Sequence, residues 1–107
     1  MAEYTIFWTP HSLSCLNQIE KYLTEETKSL SLAKKYVSKI ITSVNHLSEF
    51  PESGKEEKLL KKFKKNSRYI LVGSYKIIYR TEAKNVYITD VFHTKQHPIK
   101  IARRNKK

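Results

Sequence analysis

His93 and His97 stand in the segment Val91-Phe92-His93-Thr94-Lys95-Gln96-His97-Pro98 with Lys95 between them. Imidazole titrates near neutral pH, so either histidine can give or take a proton, and the lysine adds a fixed cation. Lys76 and Arg80 alternate with Tyr75, Ile77 and Tyr79. On a strand that spacing puts both cations on one face, opposite the aromatic rings. Tyr75, Tyr79 and Tyr87 are rings that pack in a sheet or, where exposed, stack on a base. Cationic and proton-transferring groups of this kind suit an anionic partner, and His93 serves equally as a hydrogen-bonded residue at a strand end. The single Cys15 follows helical spacing beside Leu16, with nothing cationic to activate its thiol, and is read as inert.

The charge is unevenly placed. Of 107 residues, 21 are Lys or Arg and 10 are Asp or Glu, a net +11. Residues 1–54 carry a net −1, and residues 55–107 carry +12. Within the second half, 55–65 hold six lysines against Glu56 and Glu57, and 93–107 hold six Lys and Arg with no acid. Such clustering focuses a positive potential on nucleic acid, a ribosome or an acidic protein segment. The lysines of 55–65 also suit a soluble, unpaired sheet edge.

Length and a 39% hydrophobic content fit one compact domain, 1–107, ending in a basic tail over 99–107. One cysteine forms no internal disulfide, and a zinc site would need scattered His and carboxylates, so neither metal nor cofactor is expected. No apolar run reaches the roughly 18 residues needed to span a bilayer, and the N-terminus lacks a signal-peptide layout. A soluble protein of the cytoplasm, without a membrane partner, is the expectation.

These residues are positioned by a short series of elements. Glu3 to Trp8 alternates as a strand, with Trp8 as a core anchor. Thr9-Pro10 is a helix start, followed by Leu13, Leu16, Ile19 and Leu23 on one stripe to about Glu25. Leu30, Ala33, Val37, Ile40, Val44 and Leu47 keep one apolar stripe on a second helix. The short join makes the helices an antiparallel pair. Phe50-Pro51-Glu52-Ser53-Gly54 ends the helical part. Strands are then expected over Leu59–Phe63, Arg68–Val72, Tyr75–Thr81 and Val86–Phe92, the last three joined by hairpin-length turns. The fold class is α+β: an N-terminal strand, a two-helix hairpin, then three to four antiparallel strands in one curved sheet.

The succession Trp8-Thr9-Pro10, LSEFPESG (47–54), RYILVGSYKIIYR (68–80) and VYITDVFHTKQHP (86–98) resembles the RelE/ParE toxin superfamily of bacterial type II toxin–antitoxin systems. The resemblance spans nearly the whole chain. It implies a growth-inhibiting toxin wrapped by a cognate antitoxin through an acidic or amphipathic segment. RelE-like members cut mRNA in the ribosomal A site. ParE-like members inhibit DNA gyrase and have no nuclease constellation, so whether the chain is an enzyme depends on the branch.

For a RelE-like nuclease the catalytic candidates are Arg68, Lys76, His93 and Lys95. Metal-independent cleavage needs a base for the 2′-hydroxyl, cations for the charged phosphorane and an acid for the leaving oxygen. Three departures weaken the match: Ile70 stands where a second Lys is expected, Lys76 replaces Arg and loses its two-pronged phosphate grip, and no Tyr follows Tyr87. The ending around His93 looks more ParE-like. On that branch Arg80, His97, Lys100, Arg103 and Arg104 are the target-binding candidates, and the target is gyrase. The alternatives are the ribosome-dependent endoribonuclease and a non-toxic, basic nucleic-acid-binding module. No RNA-recognition aromatic pair, GxxG clamp or zinc finger supports the last.

Overall fold

The structure is a computed structural model that describes residues 3–57 and 66–95. Strand β1 (Thr5–Trp8) leads into α1 (Pro10–Thr27) and α2 (Leu30–Asn45). A 3-10 turn over His46–Ser48 follows, then β2 (Lys55–Glu56), β3 (Arg68–Val72), β4 (Tyr75–Glu82) and β5 (Asn85–His93). The strands form one sheet in the order β1-β5-β4-β3-β2.

Thr9 converts strand to helix. Its backbone N–H donates to Ile88 O at 3.1 Å and its hydroxyl donates to the same oxygen at 2.8 Å. The hydroxyl oxygen also accepts from Ser12 N at 3.2 Å, while Pro10 occupies the first helical position. One residue thus closes the β1 ladder and caps α1. The join to α2 is two residues long: Lys28 takes a left-handed conformation (φ 57°) and Ser29 caps α2 by accepting from Leu32 N at 3.1 Å.

The α2 stripe is buried as expected through Ala33, Val37, Ile40, Val44 and Leu47, although Leu30 is half exposed and Leu47 falls on the 3-10 turn. On α1 the buried arc is Ser12, Cys15, Leu16 and Ile19, and Leu13 is exposed. At roughly 100° per residue Leu13 points about 110° away from the middle of that arc. Ser12 takes its place against the sheet, where its hydroxyl donates to Thr9 O at 2.8 Å.

β1 pairs parallel with β5, Ile6 beside Val86 and Trp8 beside Ile88; the other neighbours are antiparallel. A parallel neighbour needs a long crossover, supplied here by the helical hairpin and the three intervening strands. β2 is a two-residue strand at Lys55–Glu56. The strand expected over Leu59–Phe63 lies outside the described residues.

The helices cover one face of the sheet, with Tyr75, Ile77, Tyr79, Val86, Ile88 and Val91 in the core beneath them. Alternation along β5 breaks at a bulge: Ile78 pairs with Asp90 and Tyr79 with Ile88, leaving Thr89 as the extra residue. The Thr89 hydroxyl donates to Ile78 O at 3.3 Å. The outer face of the sheet is not purely polar. Ile78 is fully buried there between Tyr69 and Phe92.

Candidate functional site

The turn before β2 is tied down by Tyr79 and Arg68. The Tyr79 hydroxyl accepts from Gly54 N at 2.9 Å and donates to Pro51 O at 2.8 Å. Arg68 donates through Nη1 to Gly54 O at 2.9 Å, with Glu52 O at 3.5 Å. A Cβ on Gly54 would stand 2.5 Å from the Tyr79 oxygen and 2.7 Å from Tyr69 O, so only glycine allows this approach. Arg68, a nuclease candidate, here holds main-chain carbonyls.

Lys76 lies on the outer face, where its ammonium pairs with Glu57 and sits 4.1 Å from the centroid of the Tyr69 ring. The Glu57 side chain is 3% exposed and that of Lys76 is 18% exposed. A cation committed to a buried carboxylate and a ring face is a sheet fastener first. Further along the same face Arg80 covers the Tyr87 ring at 4.6 Å, and Tyr87 stacks on Phe7 at 5.4 Å. Arg80 also approaches Glu82 at 3.5 Å. A column of Phe7, Tyr87 and Arg80 therefore crosses β1, β5 and β4.

His93 ends β5 on the helix-covered side, opposite Tyr75 in register, and the two rings meet edge to face at 5.4 Å. Lys95 N donates to His93 Nδ1 at 3.1 Å. A nitrogen that accepts carries no proton, so in the neutral ring Nε2 bears it. Thr94 N donates to Ser74 O at 2.8 Å, fixing the β5 end to the β3–β4 turn. Gly73 in that turn has φ 57°, the conformation a two-residue hairpin loop requires at its first position.

A cleft of about 410 Å³ opens here, lined by Cys15, Ile19, Tyr22, Tyr75, His93 and Lys95 among others. A neighbouring cleft of about 280 Å³ shares Tyr22, Tyr75 and His93 and adds Tyr36 and Lys39. Burial pushes the Tyr75 phenol above its ordinary value, and the nearby Tyr22 and Tyr36 phenols raise it further. Tyr22 and Tyr36 were not among the residues singled out from sequence. The available signal was their near-equal distance from the Lys28–Ser29 join, which an antiparallel hairpin sets side by side.

The four nuclease candidates are not gathered. Arg68 pairs with Tyr79 and His93 with Tyr75, four positions apart along β4, or about 13 Å. Lys76 projects from the opposite face. Only His93 and Lys95 are brought together. Of the target-binding candidates, Arg80 is on the outer face, and His97, Lys100, Arg103 and Arg104 lie outside the described residues.

A second cluster went unrecognised in the sequence. His11 Nε2 lies 3.1 Å from Asp90 Oδ1 and 3.6 Å from Cys15 Sγ. Cysteine, imidazole and carboxylate suggest a nucleophile, base and orienting group, but that relay uses both ring nitrogens. Here both neighbours meet the same nitrogen, so the cluster clamps the first turn of α1 to the β5 bulge. Among the described residues no group of His, Cys, Asp and Glu is placed to hold a metal ion, and no helix is long and apolar enough to cross a membrane.

Comparison with known proteins gives a consistent result. Residues 6–98 match a family model described as the ParE toxin of the type II toxin–antitoxin system parDE. No curated protein matches. Among solved structures, the chain is similar to one from the chromosomal ParDE toxin–antitoxin system of P. aeruginosa, with a TM-score of 0.71 at 16% identity over 87% of this chain and 98% of that one. It is also similar to one from the RelBE2 toxin–antitoxin complex of Mycobacterium tuberculosis, with a TM-score of 0.54 at 18% identity over 87% and 93% of the two chains.

Proposed function

Since the chain belongs to the ParE toxin family of type II toxin–antitoxin systems, we propose that it arrests bacterial growth by binding and inhibiting DNA gyrase in the cytoplasm, without bond chemistry of its own. The observation that carries this proposal is the commitment of Arg68 and Lys76 to structural contacts, away from His93. A ribonuclease needs its cations and proton-transfer groups around one phosphate. An inhibitor needs only a surface that holds its target. On this proposal Arg80, His97, Lys100, Arg103 and Arg104 contact the target, the cognate antitoxin is the neutralising partner, and no cofactor takes part.

Paired assays on one preparation decide between targets. Purified protein is expected to block gyrase supercoiling and to leave ribosome-bound mRNA intact. Codon-dependent A-site cleavage, lost in Lys76→Ala protein that remains folded, would assign the ribosome-dependent nuclease and overturn the gyrase proposal. Normal growth at verified soluble expression without antitoxin would overturn toxicity itself.

A further inference from the structure

The two edges of the sheet differ in character. At one edge β2 carries Lys55 and Glu56, and the lysine run of 55–65 begins there. Charged side chains of that kind keep an edge from pairing with another strand. At the other edge β1 reads Thr5-Ile6-Phe7-Trp8, with no charge, proline or bulge. The devices that guard the first edge are missing from the second.

The main chain defines how much of β1 is open. Thr5 N donates to Lys84 O at 2.9 Å and Thr9 N to Ile88 O at 3.1 Å, so Thr5, Phe7 and Thr9 turn their peptide groups toward β5. Residues alternate along a strand, and Ile6 and Trp8 therefore turn their N–H and C=O groups outward. No described residue bonds to those groups. The stretch is closed at one end by Tyr4 N, which donates to Ser48 O at 2.8 Å, and at the other by Pro10, which has no N–H. Ile6-Phe7-Trp8 remains, with a donor and an acceptor at each end.

That pattern is complementary to itself. When two copies are set antiparallel about a two-fold axis through Phe7, Ile6 of one exchanges both main-chain bonds with Trp8 of the other, and the symmetric pair does the same. Phe7 then faces Phe7 at a non-hydrogen-bonded position, where side chains approach most closely. Phe7 is the open end of the column it forms with Tyr87 and Arg80, and it is 45% exposed. A second copy continues the column through the axis. On the helix-covered face the half-buried Ile6 and Trp8, which pack against the core, meet Trp8 and Ile6 of the second copy. The lysine runs of 55–65 start at the far edges, which keeps those two clusters of like charge apart.

We infer that β1 is a homodimer edge, at which two copies of the chain pair Ile6-Phe7-Trp8 antiparallel and join their sheets into one. The interface is at the small end of specific interfaces, and a dissociation constant of about 1–100 μM is expected.

Sedimentation equilibrium of the full chain tests the pairing and is expected to show a monomer–dimer equilibrium in that range. Phe7→Lys sets two ammonium groups opposite each other at the axis and should weaken dimerisation about tenfold or more. Leu71→Lys makes the same change at a residue of β3 that is 60% exposed, and should leave dimerisation within about twofold. Circular dichroism checks the fold of each variant. Crosslinking gives a readout that adds no charge. In a Cys15→Ser background, Phe7→Cys should form a disulfide-linked dimer in air, because facing Cα atoms at such a position lie about 4.5 Å apart, whereas Thr5→Cys should not. A chain that stays monomeric at about 500 μM, equal loss in Phe7→Lys and Leu71→Lys, or crosslinking of Thr5→Cys as fast as Phe7→Cys would overturn the inference. So would a monomer whose Ile6 and Trp8 amides become protected from hydrogen exchange only when the antitoxin is added, since that gives the edge to the antitoxin.

Discussion

Replacing Tyr79 by Phe removes one oxygen from the core and tests how the turn over 51–54 is held. The ring is fully buried and its hydroxyl accepts from Gly54 N and donates to Pro51 O, with the Ser53 side chain as a further hydrogen-bond partner. Phe fills nearly the same volume, so the loss is one of polar pairing. A buried N–H left without its acceptor costs about 1–3 kcal/mol. The Pro51 carbonyl is only partly buried and recovers part of its bond from water, adding about 1 kcal/mol. The expected loss is therefore about 2–4 kcal/mol, or roughly 10–20 °C in melting temperature for a domain of this size. Urea denaturation gives the free energy, and hydrogen exchange at the Gly54 amide locates it. Tyr87→Phe is the control, since that hydroxyl accepts only a 3.3 Å bond from Asn85 Nδ2 among the described contacts; a change below about 1 kcal/mol is expected there. Arg68→Ala acts on the same turn through Gly54 O. The double variant should then be non-additive by about 0.5 kcal/mol or more. A loss below about 1 kcal/mol in Tyr79→Phe, with unchanged Gly54 exchange, would refute the reasoning.

Three other outcomes follow from the geometry. Ala83 holds φ at 56° in the β4–β5 turn, so Ala83→Gly relieves left-handed strain and should raise stability by about 1 kcal/mol in the same denaturation assay. Lys76→Met should destabilise by about 2–3 kcal/mol by removing the cation facing the buried Glu57 carboxylate, and adding Glu57→Gln should restore part of that loss. Burial raises the phenols of Tyr75 and Tyr79 above their ordinary value of 10.0. The folded state therefore holds those protons more tightly than the unfolded chain. Stability should be full below about pH 10 and fall as pH rises through the raised values, a decline that Tyr79→Phe makes shallower in urea midpoints measured across the alkaline range.

Local chemistry made much of this architecture legible. Thr9-Pro10 marks the β1–α1 junction because capping and a fixed proline φ act within a few residues. The α2 stripe is regular enough that its buried face follows from spacing alone. Leu13 was misread because one-dimensional periodicity does not know that Ser12, a small residue with a local hydrogen bond, lets α1 approach the sheet. The parallel pairing of β1 with β5 and the bulge at Thr89 depend on partners some 80 and 11 positions away, which alternation within one strand does not encode. The polar two-residue β2 carries no hydrophobic signal. At the site, His93 and Lys95 were identified as neighbours from a contiguous segment. Arg68 and Lys76 were identified by residue type, but their employment as fasteners depends on Gly54, Glu57 and Tyr69, which reach them only through the folded sheet.

The pairing of β1 with β5 also bears on when this toxin can first exist. Trp8 reaches its neighbour Ile88 only after 80 further residues have been synthesised. Translation proceeds at about 5–20 residues per second, so each nascent chain spends several seconds with its first strand unpaired and the floor beneath its helices incomplete. Contacts this distant in sequence also slow closure after release. A ribosome that stops before Val86 leaves a fragment without the strand that carries His93. Assembly of the sheet is thereby withheld until β5 has been made, an interval in which an antitoxin already present can meet the emerging chain.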